Sequence, residues 1–180
     1  MPDLSLNSQQ VLLELARNSI KYYLEQGDLL SFKTDLPELI LKRGCFVTLR
    51  KSGSLRGCVG TFDVSQVLYQ NIIRMAVSSA FQDRRFESVT KNELDQIKIE
   101  ISVLGELQKV GSIDEVEIGK HGVYVKCGNK TGTFLPDVAV EQKWLAVEFV
   151  TYCAREKAGL SPEECARAEI YRYEVEKFKE

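Results

Sequence analysis

Leu55-Arg56-Gly57-Cys58-Val59-Gly60-Thr61-Phe62 reads as a β-strand into which an arginine, a cysteine and two glycines have been set. Glycine weakens a strand interior, because it costs backbone entropy and brings no side chain to pack. Two in one strand point to a close approach by another backbone or by a ligand. Alternation places Arg56, Cys58 and Gly60 on one face and Leu55, Gly57, Val59 and Thr61 on the other. A cation is therefore expected beside a thiol, with a bare backbone patch next to it. Upstream, Cys45-Phe46-Val47-Thr48-Leu49-Arg50 alternates in the same way, and Lys51-Ser52-Gly53-Ser54 is a turn. The two runs form a hairpin, and the sheet starts as an antiparallel one.

Working outward, helical spacing appears on both sides of the hairpin. Asn7 or Ser8 is expected to cap a helix whose stripe runs Leu12, Leu15, Ala16, Ser19, Ile20 and Tyr23 and stops at Gly27. Ser65 is expected to cap a second helix, with Leu68, Ile72, Met75, Ala76 and Ser79 on one side. It runs into the charged cluster Asp83-Arg84-Arg85-Phe86. This cluster reads either as a solvated loop with a surface ion pair or as a device that orients a neighbour or a substrate. Thr90 and Glu93 make a capping box before a clean alternation, with Ile97, Ile99, Ile101 and Val103 on one face and Lys98, Glu100 and Ser102 on the other. If that strand lies beside the Cys58 strand, its polar row lines a cleft.

Residues 112–143 change texture to short strands and glycine turns, with Pro136 ending the last strand, and read as a small β lobe of about 112–143. A larger lobe of about 1–111 and 144–180 completes a single domain. In it a helix from about Trp144 to Ala158, a short helix opened by Ser161-Pro162-Glu163-Glu164, and a final alternating strand Ile170–Glu176 follow.

Composition narrows the function classes. The chain has 180 residues and a formal net charge of -2, with 24 basic and 26 acidic residues interspersed, so no field favours nucleic acid or an anionic membrane. No apolar run approaches the roughly 20 residues that span a bilayer, and MPDLSLNSQQ has neither the basic nor the apolar region of a leader. Five cysteines, at 45, 58, 127, 153 and 165, are an odd number without a C-x-x-C pair, which fits a reducing, cytoplasmic setting. With His121 as the single histidine, no metal and no cofactor are expected. The candidate chemistry is a thiol, Cys58, with Arg56 to activate or orient it and His121 and Glu100 as possible acid–base partners. An alternative asks less: Arg56, the amides of Gly57 and Gly60, Glu100 and Ser102 form a recognition cleft for a carboxylate, phosphate or peptide group, with Cys58 as a wall.

The run Leu55–Phe62 closely resembles the L-R-G-C-[IV]-G signature of the AMMECR family. In the same order, Asp83-Arg84-Arg85-Phe86 resembles its D-P-R-F element, with Arg84 at the usual proline. Glu93-Leu94, Glu100-Ile101-Ser102-Val103-Leu104, His121-Gly122-Val123, Phe134-Leu135-Pro136 and Lys157-Ala158-Gly159-Leu160 follow. The resemblance implies an α+β fold, with a larger lobe of antiparallel sheet flanked by helices, a smaller mostly β lobe, and the hexapeptide facing a cleft between them. It places Asp83 and Arg85 with the substrate-binding residues, and it implies MEMO-type and radical-SAM proteins as partners. Two readings of function stand: an enzyme or enzyme component that binds a small or peptidic substrate near a reactive cysteine, and a non-catalytic adaptor that docks a partner protein.

Overall fold

The computed structural model describes residues 4–180, so the first three residues of the polar N-terminal stretch lie outside it. The chain divides into two compact units: one runs up to Leu104 and takes in Glu176–Glu180, and the other is Gly105–Val175. Both mix helices with antiparallel strands, and the protein is of the α+β class.

In the first unit β1 (Cys45–Lys51) is flanked by β2 (Ser54–Thr61) and β3 (Ile97–Leu104), both antiparallel to it. The hairpin closes through Ser52 at φ 51° and Gly53 at φ 81°. Two successive left-handed residues give a turn whose twist matches that of the strands it joins. One face of the sheet carries Cys45, Val47, Leu49, Ile97, Ile99, Ile101 and Val103, all fully buried. The apolar stripes of α1 (Leu6–Gln26) and α2 (Leu68–Phe81) share that core through Leu12, Ala16, Ile20, Ile72 and Ala76. Burial of each large aliphatic side chain stabilises by about 1.5–3 kcal/mol, so this layer holds the unit together.

Helix ends differ from the sequence reading in instructive ways. α1 is capped by Ser5, whose hydroxyl accepts from Ser8 N–H, rather than by Asn7 or Ser8. The Glu38 carboxylate fixes Ser5 by accepting its N–H and hydroxyl, a contact 33 residues distant that local periodicity does not register. Gly27, at φ 72°, ends the helix as expected. α2 starts at Leu68, and Ser65 instead donates its N–H to Asp63 in the preceding turn. Thr90 N–H donates to the Glu93 carboxylate at the head of a short 3₁₀ helix, Lys91–Gln96.

The second unit is built on β5 (His121–Cys127), which pairs with β6 (Lys130–Phe134) on one side and with β7 (Glu169–Lys179) on the other. The two-residue β4 (Gln108–Lys109) also pairs with β7. This unit is more than the 112–143 lobe read from texture. Phe149 and Val150 of α4 (Ala146–Tyr152) and Cys153, Ala154 and Ala158 of the following wide π turn pack with Val123 and Val125 of β5, so the late helices belong here. Gly132 permits the approach, since a Cβ there would lie 2.4 Å from the Ala158 nitrogen. Pro136 opens α3 (Pro136–Gln142) as its first residue; β6 has already ended at Phe134. Pro162 opens α5 (Pro162–Cys165) in the same way, with Ser161 and Glu164 in reciprocal capping bonds. Among the described residues no helix is long and apolar enough to cross a membrane.

Candidate functional site

Register, rather than sequence proximity, assembles the site on the face of the first sheet opposite α1 and α2. Thr48 of β1 pairs with Cys58 of β2 on one side and with Glu100 of β3 on the other. Paired residues share a face, so thiol, hydroxyl and carboxylate stand in one row across three strands. The adjacent row is Gly60, Phe46 and Ser102. β1 separates the two strands that carry the sequence motifs, and its Thr48 joins them: its hydroxyl contacts the Cys58 sulfur at 3.2 Å.

Charges border this row. Glu100 accepts from Arg50 Nε at 2.7 Å and pairs with Lys177 at 3.2 Å. Burial opposes its ionisation, yet Lys177 and Arg50 together hold its carboxyl below the ordinary range. At the other end, Asp83 Oδ2 accepts the Cys58 N–H at 2.8 Å, and Arg85 Nη2 donates to the Cys58 carbonyl at 3.1 Å. Asp83 and Arg85 are themselves bonded through two nitrogens, at 2.9 and 2.7 Å. The bond from Arg85, aided by the Cys58 and Arg85 N–H groups, lowers the Asp83 carboxyl to about 2 against the opposing effect of burial.

The thiol itself is pushed upward. Burial is the main cause; Thr48, Arg85 and Arg50 work against it, and Asp83 adds to it. Cys58 therefore stands as a neutral thiol, the less nucleophilic form.

Arg56 is not the cation beside it. Leu49 pairs with Gly57 while Arg50 pairs with Leu55, which leaves Arg56 as the extra residue of a β-bulge. Strict alternation breaks there, and the Arg56 guanidinium donates to Glu93 at 2.6 Å, beside Lys51 at 2.9 Å. Arg56 Nη1 is buried without a hydrogen-bond partner among the described residues. The cations that act on the thiol are Arg85 and Arg50.

The two glycines are filled by the protein rather than left bare. A Cβ at Gly57 would lie 2.1 Å from the Ser79 carbonyl oxygen, so helix and strand backbones meet there. At Gly60 it would lie 2.2 Å from the Phe46 ring. Ser79 also bridges the two strands: its hydroxyl accepts from Val59 N–H at 2.9 Å and donates to Val47 O at 2.7 Å.

His121 belongs to the second unit, at the start of β5. Its Nδ1 accepts the Glu117 N–H at 3.0 Å, which places the proton of the neutral ring on Nε2. Burial, then Arg172 and Lys120, depress its pKa. Ser102 is buried in the first unit, one row from Cys58. Of the sequence-derived residues, Cys58, Glu100, Gly60 and Ser102 share the sheet face, Asp83 and Arg85 close its edge, and Gly57 and Arg56 are turned to other contacts. Thr48, Arg50 and Phe46 were legible as the outward positions of β1, and the sequence reading passed over them because it weighed only the unusual strand. Lys177 had no local signal.

Fold and site together define an α+β protein with a thiol–hydroxyl–carboxylate row crossing an antiparallel sheet. The family model AMMECR1 matches residues 13–178, and the chain belongs to that family. It is 37% identical over 191 residues to a protein of Methanopyrus kandleri, covering 98% of this chain and 90% of that one. It is 39% identical over 181 residues to a protein of Methanosarcina acetivorans, covering 95% and 90%. The crystal structure of the uncharacterized protein PH0010 from Pyrococcus horikoshii is similar with a TM-score of 0.87 and 33% identity, over 94% of this chain and 90% of that one.

Proposed function

We propose that the first unit binds an anionic group of a small molecule or peptide on the Cys58–Thr48–Glu100 row, as an enzyme component in which the thiol is a neutral wall. The observation that carries this is the vertical order of charge. Asp83 and Glu100 are nearly buried, with side chains 6% and 11% exposed, while their partners Arg85 and Arg50 keep 53% and 32% exposed. A guanidinium anchored below by a carboxylate presents its remaining donors outward, in a planar fork suited to a carboxylate or phosphate. Cooperation with MEMO-type and radical-SAM proteins, which the sequence motifs imply, is part of the reading.

Thermal unfolding in the presence of citrate, pyrophosphate or a tripeptide with a free carboxylate tests it. We expect at least one of these anions to raise the Tm of the wild type, with the rise lost in Arg50→Ala and kept in Lys130→Ala. Lys130 is a second-unit cation paired with Glu164 and serves as the control. No rise with any of the three, or equal loss in both variants, overturns the reading. The adaptor reading has one observation in its favour, the exposed Leu145, Val147 and Val140 of the second unit. It predicts that Leu145→Ser with Val147→Ser abolishes capture of a MEMO-type protein while anion-induced stabilisation is absent.

A further inference from the structure

The outward peptide groups of Cys58 are both taken by side chains of the segment that follows α2. In an edge strand these groups would face a neighbouring strand or water. Here Asp83 accepts the N–H and Arg85 donates to the carbonyl, and the two side chains are bonded to each other. Carboxylate, guanidinium and the backbone of Cys58 thus close a ring through the peptide that carries the thiol. Thr48 and Arg50 face the same thiol from β1, and Glu100 lies beyond Thr48 in the row.

We propose that Asp83 and Arg85 are a positioning pair that governs how readily Cys58 reacts: Arg85 supplies the cation at the thiol, and Asp83 both holds that cation in place and offsets its charge. The proposal takes the location of the site from the reading above and needs no ligand. Its logic is electrostatic and geometric. Replacing Asp83 by asparagine keeps an acceptor for the Cys58 N–H but removes a negative charge, so Arg85, still tethered by its bond to the Cys58 carbonyl, favours the thiolate unopposed. Replacing Arg85 by glutamine leaves the carboxylate alone beside the sulfur and disfavours the thiolate. Arg56, two residues away but held at Glu93, has no part in it.

The test is alkylation of the full chain by iodoacetamide from pH 6.5 to 10, followed at the Cys58 peptide by mass spectrometry so that the other four cysteines do not contribute. Asp83→Asn is expected to lower the pH midpoint by about half a unit and to raise the rate at pH 7.5 about threefold. Arg85→Gln is expected to raise the midpoint, Arg85→Lys to stay nearer the wild type, and Arg56→Gln to leave it unmoved. A purely structural role would change the plateau rate through exposure of the sulfur without moving the midpoint, and that result overturns the proposal. Equal shifts in Asp83→Asn and Arg56→Gln overturn it as well. If Asp83→Asn does not fold, the ordering of wild type, Arg85→Lys and Arg85→Gln decides. Failure of anion binding leaves this result standing, and an unmoved midpoint leaves anion binding standing, so the two readings fail separately.

Discussion

Burial, reinforced by Asp83, keeps the Cys58 sulfur protonated against the opposing pull of Thr48, Arg85 and Arg50. The sequence places an arginine two residues from the thiol, and only the one-residue bulge at Arg56, invisible to an alternation count, sends that arginine to Glu93. The nearer of the cations that act on the sulfur is Arg85, 27 positions on, bonded to the Cys58 carbonyl, whose charged cluster by itself reads more readily as a solvated loop. Asp83 gives this scale its measurable signature. Its ordinary value is 3.8 and the folded protein holds it at about 2, so the folded state binds that proton less readily than the unfolded one. The stabilisation is complete above about pH 4 and is lost as pH falls through 2. Because Arg85 is half exposed, we discount the full linkage to about 1 kcal/mol. Urea unfolding of wild type and Asp83→Asn at pH 6 and pH 2.5 should show a gap between them at pH 6 that shrinks by roughly two-thirds of that amount at pH 2.5; an unchanged gap counts against the assignment.

At the scale of elements, the sheet is tied to α2 by contact of backbones. Gly57 touches the Ser79 carbonyl, and the Ser79 hydroxyl sits between Val47 and Val59, which are partners across the hairpin. Neither strand nor helix can yield there without breaking its own ladder, whereas Gly60 is met by a side chain. Gly57→Ala should therefore cost about 3 kcal/mol or more, and Gly60→Ala less. Phe46→Ala should rescue Gly60→Ala in part and leave Gly57→Ala as it is. Denaturant midpoints of the four variants would show this, and rescue of both glycine variants by Phe46→Ala would refute the distinction. Strand alternation, the presence of a hairpin turn and the inner apolar rows were all legible locally. The sequence also showed that something must approach the two glycines closely. It could not show which was met by a helix and which by a ring, because those partners lie 22 and 14 positions away.

Over the whole molecule, the two units are not two segments of sequence. The first recovers the last five residues of the chain: Glu180 binds Arg17 and the Ile99 N–H, Glu176 accepts from Leu4 N–H, Lys177 meets Glu100, and Phe178 is buried in the core. A final strand was readable from its alternation, but its division between units was not, and neither was the place of the late helices in the second unit. Those depend on long-range packing, which composition and periodicity do not encode. Phe178→Ala should lower the stability of the first unit by about 3 kcal/mol. Amide exchange at β1 and β3 should quicken in that variant while β6 is least affected; uniform quickening along the chain would contradict a local role.

The Asp83–Arg85 ring around the Cys58 peptide has one more consequence, for the behaviour of many copies of the chain together. β2 ends its sheet, and an unpaired strand border is where protein chains stack into fibrils. With the N–H and carbonyl of Cys58 already engaged, the middle of that border offers no free pair of peptide groups for a further strand to bond. The ion pair beside the thiol thus also covers the middle of an open strand border.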